Sequence, residues 1–165
     1  MSATSSTLPV NYSRIGFTIS TNPELMDVTK IHRYLSEQSY WAQGINRDQV
    51  ERSIHFSLCF GVYFHDAVQP LQVGFARVIT DYSTFAYLAD MFILSDYQGQ
   101  NLGKWLVATI LDHSELQSVR RWALYTQDAH ELYRRFGFDA EQEPQRYMSY
   151  RPHFSNSELP GIERR

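Results

Sequence analysis

The chain has 165 residues, of which 43% are hydrophobic and 15% aromatic, so it is long enough for one domain with a sizeable core. A net charge of −3 argues against a nucleic-acid-binding protein. No apolar run approaches the roughly 20 residues that span a bilayer, so we expect the protein to bind neither nucleic acid nor a membrane. The single cysteine, Cys59, excludes an intrachain disulfide and, together with an N-terminus that lacks a secretion signal, predicts a cytoplasmic protein.

Apolar spacing and turn residues divide the chain into strands and helices. The first helix is indicated by Pro23 after a capping Asn22 or Thr21, with apolar residues recurring every three or four positions from Leu25 to Leu35. In chain order the predicted elements are strand 15–20, helix 21–39, helix 47–57, strands 58–65, 71–80 and 85–94, helix 101–113, strand 120–126, helix 128–138 and strand 145–151.

This order of elements predicts an α/β fold in which helices cover a mixed sheet. We expect a single domain over residues 13–154, with a flexible N-terminal tail at 1–12 and a flexible C-terminal tail at 155–165. The inward face of helix 101–113 is predicted to consist of Leu102, Trp105, Leu106, Val107 and Ile110.

The segment "DYQGQNLGKW" (96–105) places two glycines between a buried strand and a helix start. One interpretation is a plain connection. The other is an anion site, because free N–H groups at a helix start attract phosphate and glycine lets a ligand approach the backbone. A P-loop is excluded, since "GQNLGKW" is one residue too short and Trp105 stands where a hydroxyl would bind magnesium.

Two segments carry a resemblance to a known family. "QGQNLG" (98–103) resembles the Q/R-x-x-G-x-G/A signature of the GNAT superfamily of N-acetyltransferases, and "ELYRRFGF" (131–138) is similar to its second signature, a short helix with a tyrosine four residues before Gly-Phe. The order of elements also matches along most of the chain. Asn101 stands where the family usually has glycine; asparagine tolerates the left-handed backbone, so we expect the turn to form.

The resemblance implies acetyl-CoA as the cosubstrate. Backbone N–H groups of the turn would bind its pyrophosphate, and the exposed end of strand 85–94 would contact its pantetheine arm and thioester oxygen. Thr126 stands where many members carry an asparagine that contacts the cofactor. The implied cofactor-binding residues are Met91, Phe92, Ile93, Gln98, Gly99, Gln100, Asn101, Leu102, Gly103, Lys104 and Thr126.

Two residues are candidates for the proton transfers. The resemblance suggests that Tyr133 is the general acid that protonates the leaving thiolate, with a purely structural tyrosine as the alternative. Asp90 is a candidate for the group that takes a proton from the attacking amine, directly or through water. An ordinary hydrogen-bonded role for Asp90 remains equally open, because strand alternation does not show which face lines the cleft.

Tyr40, Trp41, Tyr82 and Phe85 are predicted to wall the acceptor pocket, which would suit an apolar or cationic amine; a hydrophobic core or a homodimer face is the alternative. No HxxxH or CxxC spacing occurs, so we expect no metal.

The sequence therefore predicts an acetyl-CoA-dependent N-acetyltransferase that transfers the acetyl group by direct attack of a primary amine, the acceptor being a small molecule or a peptide. The alternatives are a catalytically silent CoA-binding sensor or interaction module, and an acyltransferase that uses another acyl-CoA.

Overall fold

The computed structural model describes residues 8–65 and 68–150. Within these ranges none of the helices combines the length and the apolar character needed to cross a membrane. The strands and helices are β1 (Asn11–Arg14), β2 (Phe17–Ser20), α1 (Val28–Glu37), α2 (Arg47–His55), β3 (Leu58–His65), β4 (Pro70–Thr80), β5 (Phe85–Ile93), α3 (Leu102–Asp112), β6 (Arg121–Leu124) and α4 (His130–Arg134).

The six strands form one mixed sheet in the order β1-β2-β3-β4-β5-β6, which confirms the predicted fold class. All neighbours are antiparallel except β5 and β6, which run parallel. A mixed sheet of this kind follows from the sequence order, because the three middle strands are joined by short turns and α3 carries the chain over to β6.

The N-terminal part differs from the prediction of a single strand at 15–20. Gly16 adopts a φ of +77° in a tight turn between β1 and β2, so these residues form a hairpin instead. Strand β1 begins at Asn11, inside the segment predicted to be a tail. Residues 1–7 and the predicted C-terminal tail at 155–165 lie outside the described residues.

The helices cover both faces of the sheet. On one face α3 buries Leu106, Val107 and Ile110, and on the other α1 and α2 bury residues such as Ile31 and Val50. The inward positions predicted from the helical spacing of α3 are confirmed, with Trp105 packed at the margin of this cluster. Burying one such side chain stabilises the fold by roughly 1.5–3 kcal/mol.

The first helix is shorter than predicted. Asn22 caps a single 3₁₀ turn, Pro23–Leu25, and Asp27 then caps α1, which begins at Val28. The interruption leaves the predicted inward residue Leu25 49% exposed. The side chain of Asp27 caps a new helix only five residues after Asn22 caps the 3₁₀ turn, so the two helical segments are separate. The capping residues thus decide where the helix begins, although the apolar spacing predicts an earlier start.

The predicted last strand at 145–151 is wrong within the described residues. Pro144–Arg146 forms a 3₁₀ turn, and residues 147–150 pair with no strand. Tyr147 and Met148 are 72% and 92% exposed, so the alternating apolar side chains that suggested a strand have no sheet face to cover. Strand β6 is therefore the edge of the described sheet.

His113 closes the carboxyl end of α3 and is buried with only 1% exposure. Its Nδ1 accepts the backbone N–H of Glu115, and its ring packs edge-on against Phe60 at a centroid distance of 5.4 Å. Its Nε2 has no hydrogen-bond partner among the described residues. Burial lowers the pKa of this imidazole, against an opposing effect of Glu115, because the charged form would lose its hydration.

We expect His113 to make the free energy of unfolding fall as the pH drops below about 6.5, the ordinary histidine value. The unfolded chain then binds a proton that the folded chain resists, so stability present above that pH is lost on acidification. His113→Gln should unfold at lower urea at about pH 7 but lose less stability between about pH 7 and about pH 5. His55→Gln, at an exposed position of α2, is the control. Equal pH slopes for His113→Gln and wild type would contradict this.

Candidate active site

Strands β5 and β6 form a cleft because their pairing stops part of the way along β5. The last paired residues are Leu88 and Leu124, and within the described chain residues 89–93 continue without a partner on the β6 side. The backbone groups that face this gap are available to a ligand. The gap lies beside the predicted cofactor-binding residues Met91, Phe92 and Ile93.

A β-bulge accompanies this divergence. The register between β4 and β5 shifts so that Asp90 and Met91 together stand opposite Ala76. Asp90 has a φ of +51°, in the left-handed region of the backbone that residues other than glycine, asparagine and aspartate rarely adopt. Because a bulge bends its strand and increases the local twist, it directs the end of β5 away from β6.

The side chain of Asp90 holds the bulge through two donors. Arg77 Nε donates to Asp90 Oδ2 at 2.5 Å, and Trp41 Nε1 donates to Asp90 Oδ1 at 3.1 Å. The Asp90 and Arg77 side chains are only 10% and 16% exposed. With both carboxylate oxygens engaged, this geometry favours a positioning role for Asp90 over the proton-accepting role that the sequence suggested. Sequence reasoning missed Arg77, although an opposite charge on the neighbouring strand of a hairpin is a usable signal.

The glycine turn before α3 offers a row of free backbone donors. Gly99 and Asn101 have φ values of +79° and +60°, so the left-handed conformation expected for Asn101 is present. The first helical hydrogen bond of α3 runs from Trp105 N–H to the Asn101 carbonyl. Among the described residues, the N–H groups of residues 99–104 have no acceptor. Such a row at the positive end of a helix dipole is suited to binding an anion.

Two side chains around the turn also favour anion binding, one by its charge and one by holding the turn in place. Lys104 Nζ donates to Asn101 Oδ1 at 3.1 Å, which keeps a positive charge over the turn. Gln98 Nε2 donates to the Ile93 carbonyl at 2.9 Å and so ties the turn to the end of β5. The side chain of Leu102 is buried in the core, so it can contribute its backbone alone. The structure thus brings the predicted residues 98–104 together in the turn before α3 and the first turn of that helix.

Tyr133 lies on α4 and faces β5 across the cleft. Its hydroxyl contacts Met91 Sδ at 3.4 Å, its ring packs against Phe138, and its side chain is 9% exposed. Burial, with smaller effects of Tyr40 and Asp128, raises the pKa of Tyr133 to about 12. The hydroxyl therefore keeps its proton at neutral pH, as a proton donor must.

The loop between α1 and α2 reaches across to the start of α4. Tyr40 Oη accepts the Gln127 N–H at 2.8 Å and donates to Asp128 Oδ1 at 3.4 Å. Trp41 packs edge-to-face on Tyr40, with the ring centroids 4.9 Å apart, while it also binds Asp90. The two predicted acceptor residues Tyr40 and Trp41 thus connect both sides of the cleft.

Two further contacts lie beside this loop. Tyr34, which sequence reasoning missed, stacks on Phe92 with centroids 3.8 Å apart and the rings 11° from parallel. Thr126 Oγ1 accepts the Ala129 N–H at 3.0 Å and so holds the start of α4. The cap residue of α4 is Ala129, which has no side-chain acceptor, so the Thr126 hydroxyl supplies one instead.

Tyr82 and Phe85 are not brought to the cleft. Tyr82 lies in the turn between β4 and β5, and Phe85 is the first residue of β5, where it is paired with Arg121 of β6. Asp90 is five positions beyond Phe85 along the strand, a distance of about 17 Å. Their role in an acceptor pocket stays a prediction, and the structure places both residues at the end of the sheet where β5 and β6 are paired, while the gap opens at the other end.

The thiol near the bulge is not suited to covalent catalysis. Cys59 is buried, and burial raises its pKa to about 12 despite the opposing effect of Arg77. A thiol that stays protonated is a poor nucleophile. The described ranges also contain no group of three His, Cys, Asp or Glu residues arranged to hold a metal ion.

The bulge, the turn and Tyr133 all fall within a recognised family domain. A model of the Acetyltransferase (GNAT) family matches residues 28–138, from α1 to the segment after α4. This match covers more than half of the chain, and the chain therefore belongs to the GNAT acetyltransferase family.

Individual relatives agree with this assignment. A Xanthomonas campestris protein assigned to the same family is 44% identical, and its crystal structure gives a TM-score of 0.77 over 82% of this chain and 93% of that one. A candidate acetyltransferase of Gibberella zeae is 32% identical over 77% of this chain and 81% of its own length. A Clostridium acetobutylicum structure described with acetyl-CoA is 11% identical, with a TM-score of 0.59 over 82% of this chain and 94% of that one, a likeness of fold alone.

We expect Asp90→Asn to lower the free energy of unfolding by about 3 kcal/mol, because it leaves the guanidinium of Arg77 buried without its counter-charge. Asparagine tolerates the positive φ, so the backbone does not confound the result. Urea denaturation is the measurement. The control is Glu51→Gln, which breaks the half-exposed Arg47–Glu51 pair and should cost at most about 1 kcal/mol. Equal losses of unfolding free energy in Asp90→Asn and Glu51→Gln would show that the Arg77–Asp90 pair does not stabilise the bulge.

Proposed function

We propose that this protein is an acetyl-CoA-dependent N-acetyltransferase whose acceptor is a primary amine. The observation that carries the proposal is the alignment of three features along one cleft. These are the free N–H groups of residues 99–104, the unpaired edge of β5 at residues 89–93, and the buried hydroxyl of Tyr133. Together they supply anion binding, a docking edge for an extended chain, and a proton donor.

The donor half of the cleft fits acetyl-CoA. A pyrophosphate matches the six consecutive N–H groups and the ammonium of Lys104. The amide groups of a pantetheine arm match the open edge of β5, much as an added strand would. The Clostridium acetobutylicum protein described with acetyl-CoA has the same fold, which makes acetyl-CoA the first ligand to test.

The reacting end of the cleft is suited to direct transfer. A backbone N–H group on the edge of β5 that faces the gap would stabilise the oxyanion that forms when an amine attacks a thioester. Tyr133 Oη would then donate its proton to the thiolate as the carbon–sulfur bond breaks. Its position on a short helix packed against Phe138 fixes the hydroxyl beside β5.

Asn101 tests the donor site. Asn101→Val should weaken acetyl-CoA binding by about tenfold, because a β-branched residue at a φ of +60° costs roughly 1–2 kcal/mol and distorts the turn. Asn101→Gly should bind at least as well as wild type. The measurement is the thermal shift on titration with acetyl-CoA, which at a hundredfold excess over the dissociation constant corresponds to about 2.7 kcal/mol. An absent shift in wild type would defeat the proposed function, as would a shift with ATP equal to that with acetyl-CoA.

Tyr133→Phe tests the chemistry. It keeps the packing of the ring but removes the hydroxyl, so kcat should fall about a hundredfold while acetyl-CoA binding is unchanged. Because the pKa of Tyr133 is raised to about 12, wild-type kcat should not decline through loss of this proton up to about pH 10. Thiol release is the assay, and Tyr12→Phe on β1 is the control. Normal binding without turnover in wild type would favour the sensor alternative.

A further inference from the structure

Direct attack by an amine needs a group that binds the ammonium form and takes its proton. Asp90 is poorly placed for this, because its two oxygens already accept from Arg77 and Trp41 in a nearly buried pair. Separating the Asp90 carboxylate from Arg77 would leave a nearly buried charge without its partner, which is costly. A second carboxylate at the cleft is therefore the better candidate.

Asp128 is that second carboxylate. It is exposed in the segment between β6 and α4, and it makes no salt bridge with any residue that the structure describes. Its one side-chain hydrogen bond in the described chain is the 3.4 Å contact from Tyr40, which leaves acceptor capacity on both oxygens. Its charge is thus available to a ligand.

The hydroxyl of Tyr40 fixes where this charge sits. Because Tyr40 Oη accepts the Gln127 N–H, its own hydrogen is free to point at Asp128. Burial is the main cause of the raised pKa values of Tyr34 and Tyr133, and the negative charge of Asp128 raises both further. Asp128 is therefore near enough to the residue proposed as the proton donor to act on it electrostatically.

Asp128 meets a group of aromatic residues through the hydroxyl of Tyr40. Tyr40 packs edge-to-face with Trp41, and Tyr34, stacked on Phe92, is close enough to Asp128 for its charge to raise the pKa of Tyr34 beyond the larger effect of burial. Faces of aromatic rings attract cations and also accommodate apolar groups. A carboxylate beside such rings is chemistry suited to an ammonium group with an apolar or aromatic substituent.

We propose that Asp128 binds the ammonium group of the acceptor and accepts its proton, so that the acceptor is a cationic amine with an apolar or aromatic substituent. This inference rests on the proposed function. A carboxylate oxygen of Asp128 takes one proton from the ammonium group, which frees the lone pair of the amine nitrogen to form its bond to the thioester carbon. As the carbon–sulfur bond breaks, the nitrogen loses a second proton to solvent and the thiolate takes the proton of Tyr133. Solvent then removes the proton from Asp128 and restores that of Tyr133.

The test uses phenethylamine and 2-phenylethanol, which share a ring and a chain length but differ in charge. In the presence of CoA, phenethylamine should raise the unfolding temperature of wild type more than 2-phenylethanol does. Asp128→Asn should abolish this difference and raise KM for phenethylamine about tenfold or more, the loss expected for a charge-assisted hydrogen bond, with KM for acetyl-CoA unchanged. Asp128→Glu should recover part of the response.

Glu131→Gln is the matched control, because it removes the same charge from α4 on an exposed side chain that pairs with Arg134. It should behave as wild type. An unchanged phenethylamine response in Asp128→Asn would overturn the inference, as would equal wild-type responses to the amine and the alcohol. The titrations with phenethylamine and 2-phenylethanol are repeated without CoA, so the role of Asp128 is tested even if acetyl-CoA does not bind. If the amine response depends on Asp128 but acetyl-CoA does not bind, the result counts against the proposed function and not against the role of Asp128.

Discussion

The ion pair between Arg77 and Asp90 is the interaction on which the cleft depends. The bulge at Asp90 requires a positive φ, and a nearly buried pair with two donors on the carboxylate offsets that cost. Because the bulge bends β5, the strand leaves β6 after Leu88 and exposes its backbone edge. Trp41 binds the same carboxylate, so one interaction both shapes the open edge of β5 and positions the loop between α1 and α2.

The electrostatic character of the cleft changes along its length. At one end the N–H groups of residues 99–104 and Lys104 present positive charge. Near the middle, burial keeps the hydroxyl of Tyr133 protonated. Asp128 presents a negative charge next to Tyr40, which packs on Trp41. These opposite charges are what the proposed substrates would require, since the acyl donor would carry phosphates and the acceptor an ammonium group.

Different parts of helix α3 stabilise the fold and face the cleft. Helix α3 buries its apolar residues on one face of the sheet, while its N-terminal N–H groups remain free for a ligand. Asn101 links the two roles, because its left-handed backbone starts the helix without a side-chain cap. A capping side chain there would accept a hydrogen bond from N–H groups that are otherwise free to bind an anion.

The sequence alone determined the features that depend on local spacing: strands β3, β4 and β5, the inward face of α3, the left-handed Asn101 and the family signatures at 98–103 and 131–138. These follow from residues near one another in the chain. Only the tertiary structure decided that Arg77 and Trp41 engage Asp90, that Tyr40 meets Asp128, and that Tyr82 and Phe85 lie at the closed end of the sheet. Those pairings join residues distant in sequence, and the one-residue shift of a bulge changes which side chains face each other.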